Sequence, residues 1–187
     1  MPGAGPGQEI LHFLISTIFG IYIILLMLRV IFGLVRADYY NPISQTIVSL
    51  TNPPLQIMRR VIPSVGRVDL AAIVLILVLK FIELWLRVTI AGLDAGAGVI
   101  LMVAIRDLLT TVIWIFMIAL IVEVVMSWIQ AGGGGSPNNP IMRLAGSLNR
   151  PILGPLRRAL PHTGAIDFSP MIALIGLYIL LIIVRSF

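Results

Sequence analysis

The chain has 187 residues, of which 59% are hydrophobic and only 11% charged, whereas a water-soluble domain carries about 25% charged residues, so there is too little polar surface to cover a soluble particle. Thirteen Lys and Arg against eight Asp and Glu give a formal charge of +5, and in so apolar a chain this excess reads as a topology signal against anionic headgroups, not as a direct nucleic-acid footprint. The absence of cysteine from the sequence removes disulfides, thiolate metal sites, cysteine nucleophiles and CxxCH haem attachment.

In chain order, residues 1–9 (MPGAGPGQE) read as a disordered tail without Lys or Arg. Four stretches then approach the roughly 20 apolar residues that a helix needs to cross a bilayer core, at 10–35, 70–90, 108–129 and 168–184. The first is too long for a secretory signal segment and lacks a small-residue cleavage site behind it, so it is expected to remain as a span. Arg36, Arg59, Arg60 and Arg67 lie between spans 1 and 2, and Arg143, Arg150, Arg157 and Arg158 between spans 3 and 4. The connector over 91–107 offers only Arg106. Since Lys and Arg are retained on the cytoplasmic side, the expected topology is a multi-pass protein of the plasma membrane. Loops 1 and 3 face the cytoplasm, and the connector and both termini face outward.

Shifting the chain by 98 residues aligns 41–69 (NPISQTIVSLTNPPLQIMRRVIPSVGRVD) with 139–167 (NPIMRLAGSLNRPILGPLRRALPHTGAID), without gaps and with 12 of 29 positions identical. This predicts two parallel tandem copies of a span, basic loop, span unit, over 10–90 and 108–187. Upstream, a four-residue insertion within the second copy, in the GGGGS run of 132–136, places Arg29 and Glu123 at equivalent positions.

Each repeated loop opens with Asn-Pro, at Asn41-Pro42 and Asn139-Pro140. Asn is suited to accept from orphan backbone N–H groups and Pro to stand first in a helix. An amphipathic interfacial helix follows, with Ile43, Ile47 and Leu50 on one stripe, or Ile141, Leu144, Ala145 and Leu148. Pro53 and Pro151 are expected to end it after about ten residues. A second short helix then carries Leu55, Met58 and Ile62, or Leu153, Leu156 and Leu160. The pairs Arg59-Arg60 and Arg157-Arg158 precede Pro63 or Pro161, a turn at Gly66 or Gly164, and Asp69 or Asp167 opening the next span. Two roles suit these residues: anchoring at phosphate level with the Asp as N-cap, or a salt-bridged platform for a partner protein, a lipid headgroup or an ion path.

Arg29, Lys80, Glu83, Arg87 and Glu123 fall inside the spans, where a central charge costs about 2.5–3.5 kcal/mol on insertion scales. Lys80, Glu83 and Arg87 share one helix face and can pair in sequence. Arg29 and Glu123 are expected to meet across a pseudo-two-fold axis, forming a buried polar seam between repeats. The competing reading is that the arginines snorkel to the interfaces while Lys80 and Glu83 neutralise each other. His12 and His162 fall on opposite membrane faces and cannot share one haem. No phosphate-binding loop, HExxH or K⁺ filter sequence occurs in the chain.

The twice-repeated pattern of span, NP, P-x-L-x-x-[hydrophobic]-RR-x-x-P-x-x-G-x-x-D, span resembles the YggT family of small bacterial inner-membrane proteins, also called YlmG-like. The second copy carries Ser127-Trp128, Asn139-Pro140, Pro151, Arg157-Arg158, Pro161, Gly164, Asp167 and Ser169-Pro170. The first has Ala71-Ala72 where the family often has Ser-Pro. The resemblance implies links to osmotic stress, potassium uptake and cell-division neighbourhoods, and in plastid relatives to nucleoid distribution and haem attachment. It supplies no catalytic residue.

The expected fold class is therefore all-α: an integral membrane protein of four transmembrane helices in two parallel repeats, with amphipathic helices in the cytoplasmic loops. The expected function is a non-enzymatic scaffold or assembly factor, without a cofactor, meeting the bilayer's anionic headgroups and either copies of itself or a membrane-protein partner. An oligomeric transport component in osmotic or potassium homeostasis is the alternative.

Overall fold

The computed structural model describes residues 5–64, 68–132, 139–160 and 167–186. Among these the chain forms six α-helices and no β-strand: α1 (Pro6–Val35), α2 (Pro42–Met58), α3 (Leu70–Ile90), α4 (Ala97–Ala131), α5 (Pro140–Ala159) and α6 (Ser169–Arg185). Two of them, α1 and α4, are long and apolar enough to cross a membrane. At 1.5 Å per residue they extend about 45 and 52 Å.

Several boundaries depart from the expectations above. Residues 6–9 are the first turn of α1, with Pro6 at its start, not part of a tail. The connector expected over 91–107 is helical from Ala97 onward, and Arg106 and Asp107 lie inside α4. Their charges do not end the helix because both are met laterally: Arg106 lies 3.7 Å from Asp107, and Asp107 lies 3.5 Å from Lys80 of α3. The real α3–α4 turn is short and closes on Gly92, whose φ of +67° suits glycine. Leu93 N donates to Val88 O and Gly92 N to Thr89 O, the paired bonds of a Schellman cap.

The loop helices differ most. Pro53 and Pro151 do not divide them: α2 continues through Pro53 and Pro54, and α5 through Pro151 and Pro155. A proline inside a helix deprives the carbonyl four residues earlier of its donor. For Pro54 that carbonyl belongs to Leu50, and Tyr22 Oη of α1 lies 3.4 Å from it. The stripe also shifts. The buried face of α2 is Ser44, Ile47, Thr51 and Leu55, and that of α5 is Leu144, Ala145, Leu148, Asn149 and Leu153. Leu50 and Ile141 are exposed.

The main core joins α1, α2, α3, α4 and α5 through Leu26, Met27, Leu55, Ala72, Ile76, Ile115, Ala119 and Leu148. Ala71 and Ala72 are fully buried at the start of α3, and Ala104 is fully buried in α4 against Leu84. Small side chains of this kind let helix backbones approach closely. A third cluster, Leu120, Leu153 and Ala173, ties α4, α5 and α6 together. Outward, α1, α3, α4 and α6 present many large apolar side chains, among them Phe13, Ile18, Ile21, Trp85, Trp114, Ile118, Ile175 and Ile182. An apolar surface so extensive suits lipid and not water.

Candidate functional site

The two loop helices start alike. Asn41 Oδ1 accepts from Ile43 N at 3.0 Å, and Asn139 Oδ1 from Ile141 N at 2.9 Å, with Pro42 and Pro140 in the first turn. They also meet: Asn41 Nδ2 donates to Pro140 O at 2.8 Å, and Arg143 pairs with Asp38. Since Asp38 follows α1, and Gln130 Nε2 near the end of α4 donates to Met142 Sδ of α5 at 2.8 Å, the C-terminal ends of α1 and α4 lie at one end of the molecule. At the other end, Gln8 Nε2 of α1 reaches Ile90 O of α3 at 3.4 Å.

At the C-terminal ends of the loop helices the arginine and aspartate of each repeat come together. Arg59 is ion-paired with Asp69, and Arg157 Nε lies 2.8 Å from Asp167 Oδ2. Asp69 also caps α3 by accepting from Ala72 N at 3.3 Å. Asp167 stands one residue outside the corresponding position, since Phe168 is the N-cap of α6; its carboxylate accepts from Ser169 N at 2.9 Å. Burial acts to raise the Asp167 carboxyl but is outweighed by hydrogen bonds from Ser169 and by the hydrogen bond and charge of Arg157, which hold it below the ordinary value of 3.8. Arg60 and Arg158 are exposed and have no salt-bridge partner among the described residues. Pro63 follows α2 in the link to α3. Gly66, Pro161, His162 and Gly164 lie outside the described residues, as does most of the GGGGS run.

The charges on the long helices form separate groups, and Arg29 and Glu123 do not form the expected seam between repeats. Arg29 reaches sideways to α2, donating through Nη1 to Thr51 Oγ1 at 2.8 Å and Val48 O at 3.1 Å, and through Nη2 to Asn52 Oδ1 at 2.8 Å. Glu123 likewise reaches α5, accepting from Asn149 Nδ2 at 2.6 Å and lying 3.5 Å from Arg157. The 98-residue shift aligns Thr51 with Asn149, so the same position is used twice with opposite charge. The physical reason is proximity: each loop helix brings polar groups against its own leading span, and a charge buried there is satisfied locally.

A second group lies between α3 and α4. Lys80 Nζ is 2.9 Å from Glu83 and 3.5 Å from Asp107, and Glu83 is 3.5 Å from Arg87. Glu83 is 2% exposed. Asp107, assigned by the sequence to a connector, is the member of this group that sequence reasoning missed. The apolar run AGVILMVAI leading into it was the available signal that α4 starts earlier. Thr51, Asn52 and Asn149 were also missed; the repeat alignment equates Thr51 with Asn149, but only the structure brings them against Arg29 and Glu123.

Between α1, α2 and the start of α3 there is a cavity of about 230 Å³, whose walls include Arg29, Tyr39, Ser44, Ile47, Arg59 and Asp69.

Comparison with known proteins gives the family of the chain. The family model described as CCB3/YggT matches residues 8–90 and again 102–187. YggT of Escherichia coli is 36% identical over 173 residues, covering 91% of this chain and 86% of that protein. A protein of Pseudomonas aeruginosa is 34% identical over 168 residues, covering 88% and 83%. One of Vibrio alginolyticus, named for its place in the proC 3′ region, is 35% identical over 170 residues, covering 89% of each. No solved structure matches. With the family model matched along nearly all of the chain, and relatives this similar over most of their own length, the chain belongs to the CCB3/YggT family.

Proposed function

We propose that the chain is a non-enzymatic scaffold or assembly factor of the bacterial inner membrane, built from two parallel copies of a span, loop helix, span unit. In this reading α1, α3, α4 and α6 all cross the bilayer. The end at which α2 and α5 meet faces the cytoplasm, and both termini face outward. The two separate stretches matched by the family model support the duplication, and the arginine-rich loops support the orientation.

The observation that carries the scaffold reading is the junction of the two loop helices through Asp38–Arg143 and Asn41–Pro140. It joins two amphipathic helices, with Arg150 and Arg158 exposed on α5 and Arg60 exposed just after α2. Such an array suits an acidic partner surface, from a second copy or another membrane protein, set against anionic lipid. Meanwhile Lys80, Arg87, Glu83 and Asp107 neutralise one another between α3 and α4. A basic cytoplasmic mouth would also repel a cation. Both points weigh against the alternative of an ion-transport component in osmotic or potassium homeostasis.

The test combines two measurements. Proteoliposomes loaded with potassium are expected to show no flux above protein-free vesicles at any protein density. In cells, in vivo cross-linking is expected to trap the chain in a defined complex that Arg60→Glu with Arg158→Glu abolishes while the protein accumulates normally. Potassium flux from wild-type proteoliposomes that rises with protein density would overturn the scaffold reading in favour of transport.

A further inference from the structure

The cavity beside Arg29 has polar groups on its walls whose bonding capacity the fold uses only in part. Ser44 is 4% exposed, yet its Oγ has no hydrogen-bond partner among the described residues, and a buried hydroxyl left in that state is costly. Three hydrogen bonds fix Arg29 to α2, while a guanidinium carries five N–H donors, so about two remain. Arg59 spends part of its guanidinium on Asp69. Two arginines and one aspartate on the walls leave a local formal charge of +1.

From this juxtaposition we propose that the cavity is a binding site for a singly charged phosphate oxyanion, recognised by Arg29, Arg59 and the Ser44 hydroxyl. The corresponding positions of the second repeat carry an anion of their own. There Arg157 and Asp167 keep the places of Arg59 and Asp69, but Glu123 stands for Arg29 and Met142 for Ser44. Arg157 lies 3.5 Å from the Glu123 carboxylate and 2.8 Å from Asp167, so the protein supplies its own anion. In the first repeat a second cation occupies that position, and an exogenous anion completes the balance. Bidentate guanidinium geometry and a hydroxyl donor are the groups that hold phosphate oxygens.

Two sources carry this chemistry: the phosphodiester of an anionic phospholipid and free inorganic phosphate. Arg29 lies six residues before the end of α1, about 9 Å along the helix, at headgroup depth if that end lies at the interface. Val30, Phe32 and Ile47 supply apolar walls suited to the lipid's glycerol region. The inference goes beyond the scaffold reading and does not need a protein partner.

Native mass spectrometry of the full chain in neutral detergent tests it, with dioleoylphosphatidylglycerol, dioleoylphosphatidylcholine or inorganic phosphate added separately. Wild type is expected to retain one phosphatidylglycerol in preference to phosphatidylcholine. Ser44→Met, which installs the second repeat's residue, and Arg59→Gln should weaken retention about tenfold or more. Ser44→Ala, which disturbs packing least, should weaken it several-fold, and Arg185→Gln should not. Retention of phosphate alone with the same dependence on these residues supports the oxyanion site with a soluble source. Equal retention of both lipids by wild type and every cavity variant, or no retention of any probe, overturns it.

Discussion

Glu83 is enclosed by two cations from its own helix, Lys80 at 2.9 Å and Arg87 at 3.5 Å, with Asp107 of α4 closing the group on the far side of Lys80. Removing one member of a buried pair strands the other charge, which costs about 3–5 kcal/mol, whereas replacing both by apolar groups is often neutral. Glu83→Gln is therefore expected to destabilise the protein by about 3–5 kcal/mol, and Lys80→Met with Glu83→Met to recover most of that loss. Arg87, 42% exposed at its side chain, can then reach the interface. Unfolding by dodecyl sulfate in mixed micelles measures both, and equal losses in single and double variants would show that the pairing is not what holds this contact. Lys80, Glu83 and Arg87 were legible from their spacing alone. Asp107 was not, because its relevance depends on α4 passing beside α3.

At the scale of the element, α2 shows how tertiary contacts override local propensity. Two consecutive prolines inside a helix would ordinarily end or kink it. Here the flanking span supplies what they remove: Tyr22 Oη lies 3.4 Å from the Leu50 carbonyl that Pro54 leaves without a donor, and Arg29 ties Val48, Thr51 and Asn52 to α1. Pro54→Ala should return a backbone donor to Leu50 and make Tyr22 redundant there. Tyr22→Phe is accordingly expected to cost up to about 1 kcal/mol in the wild-type chain and close to nothing in Pro54→Ala. A double-mutant cycle on thermal unfolding reads the difference, and an unchanged cost in both backgrounds would refute the role given to Tyr22. The Asn-Pro starts were readable in the sequence because a cap is a local device, involving one side chain and an amide two residues on. The continuity of α2 and α5 was not readable, because the compensating donors lie on other helices.

At the scale of the whole molecule, the contact between the loop helices places the C-terminal ends of α1 and α4 together. If all four long helices cross the membrane, Tyr40, which is 84% exposed, lies on the cytoplasmic side and Leu93, in the α3–α4 turn, on the outer side. The chain has no cysteine, so single substitutions report without background. Tyr40→Cys is expected to resist a membrane-impermeant maleimide in intact spheroplasts and to react after lysis. Leu93→Cys is expected to react in both. Labelling of both residues from the same side would rule out an odd number of crossings between them, and with it the four-span arrangement. The same geometry explains why the two repeats carry different charges: each loop helix buries polar groups against its own leading span, so the complement is chosen within a repeat.

The sequence by itself determined the apolar character, a 29-residue frame that recurs 98 residues on, and the helical punctuation, because apolar content, residue pattern and Asn-Pro caps are all composition or short-range features. It also determined that Arg59 and Asp69 recur as Arg157 and Asp167. Only the tertiary structure decided where the buried charges turn. Arg29 and Glu123 occupy equivalent places, yet each is satisfied by its own loop helix, because hydrogen bonding to a charge in an apolar medium acts over a few ångströms. Repeat symmetry alone does not say which neighbour comes that close. The same packing leaves Ser44 Oγ without a hydrogen-bond partner among the described residues, beside Arg29 and Arg59, whereas Glu123 lies 3.5 Å from Arg157 at the corresponding place in the other half.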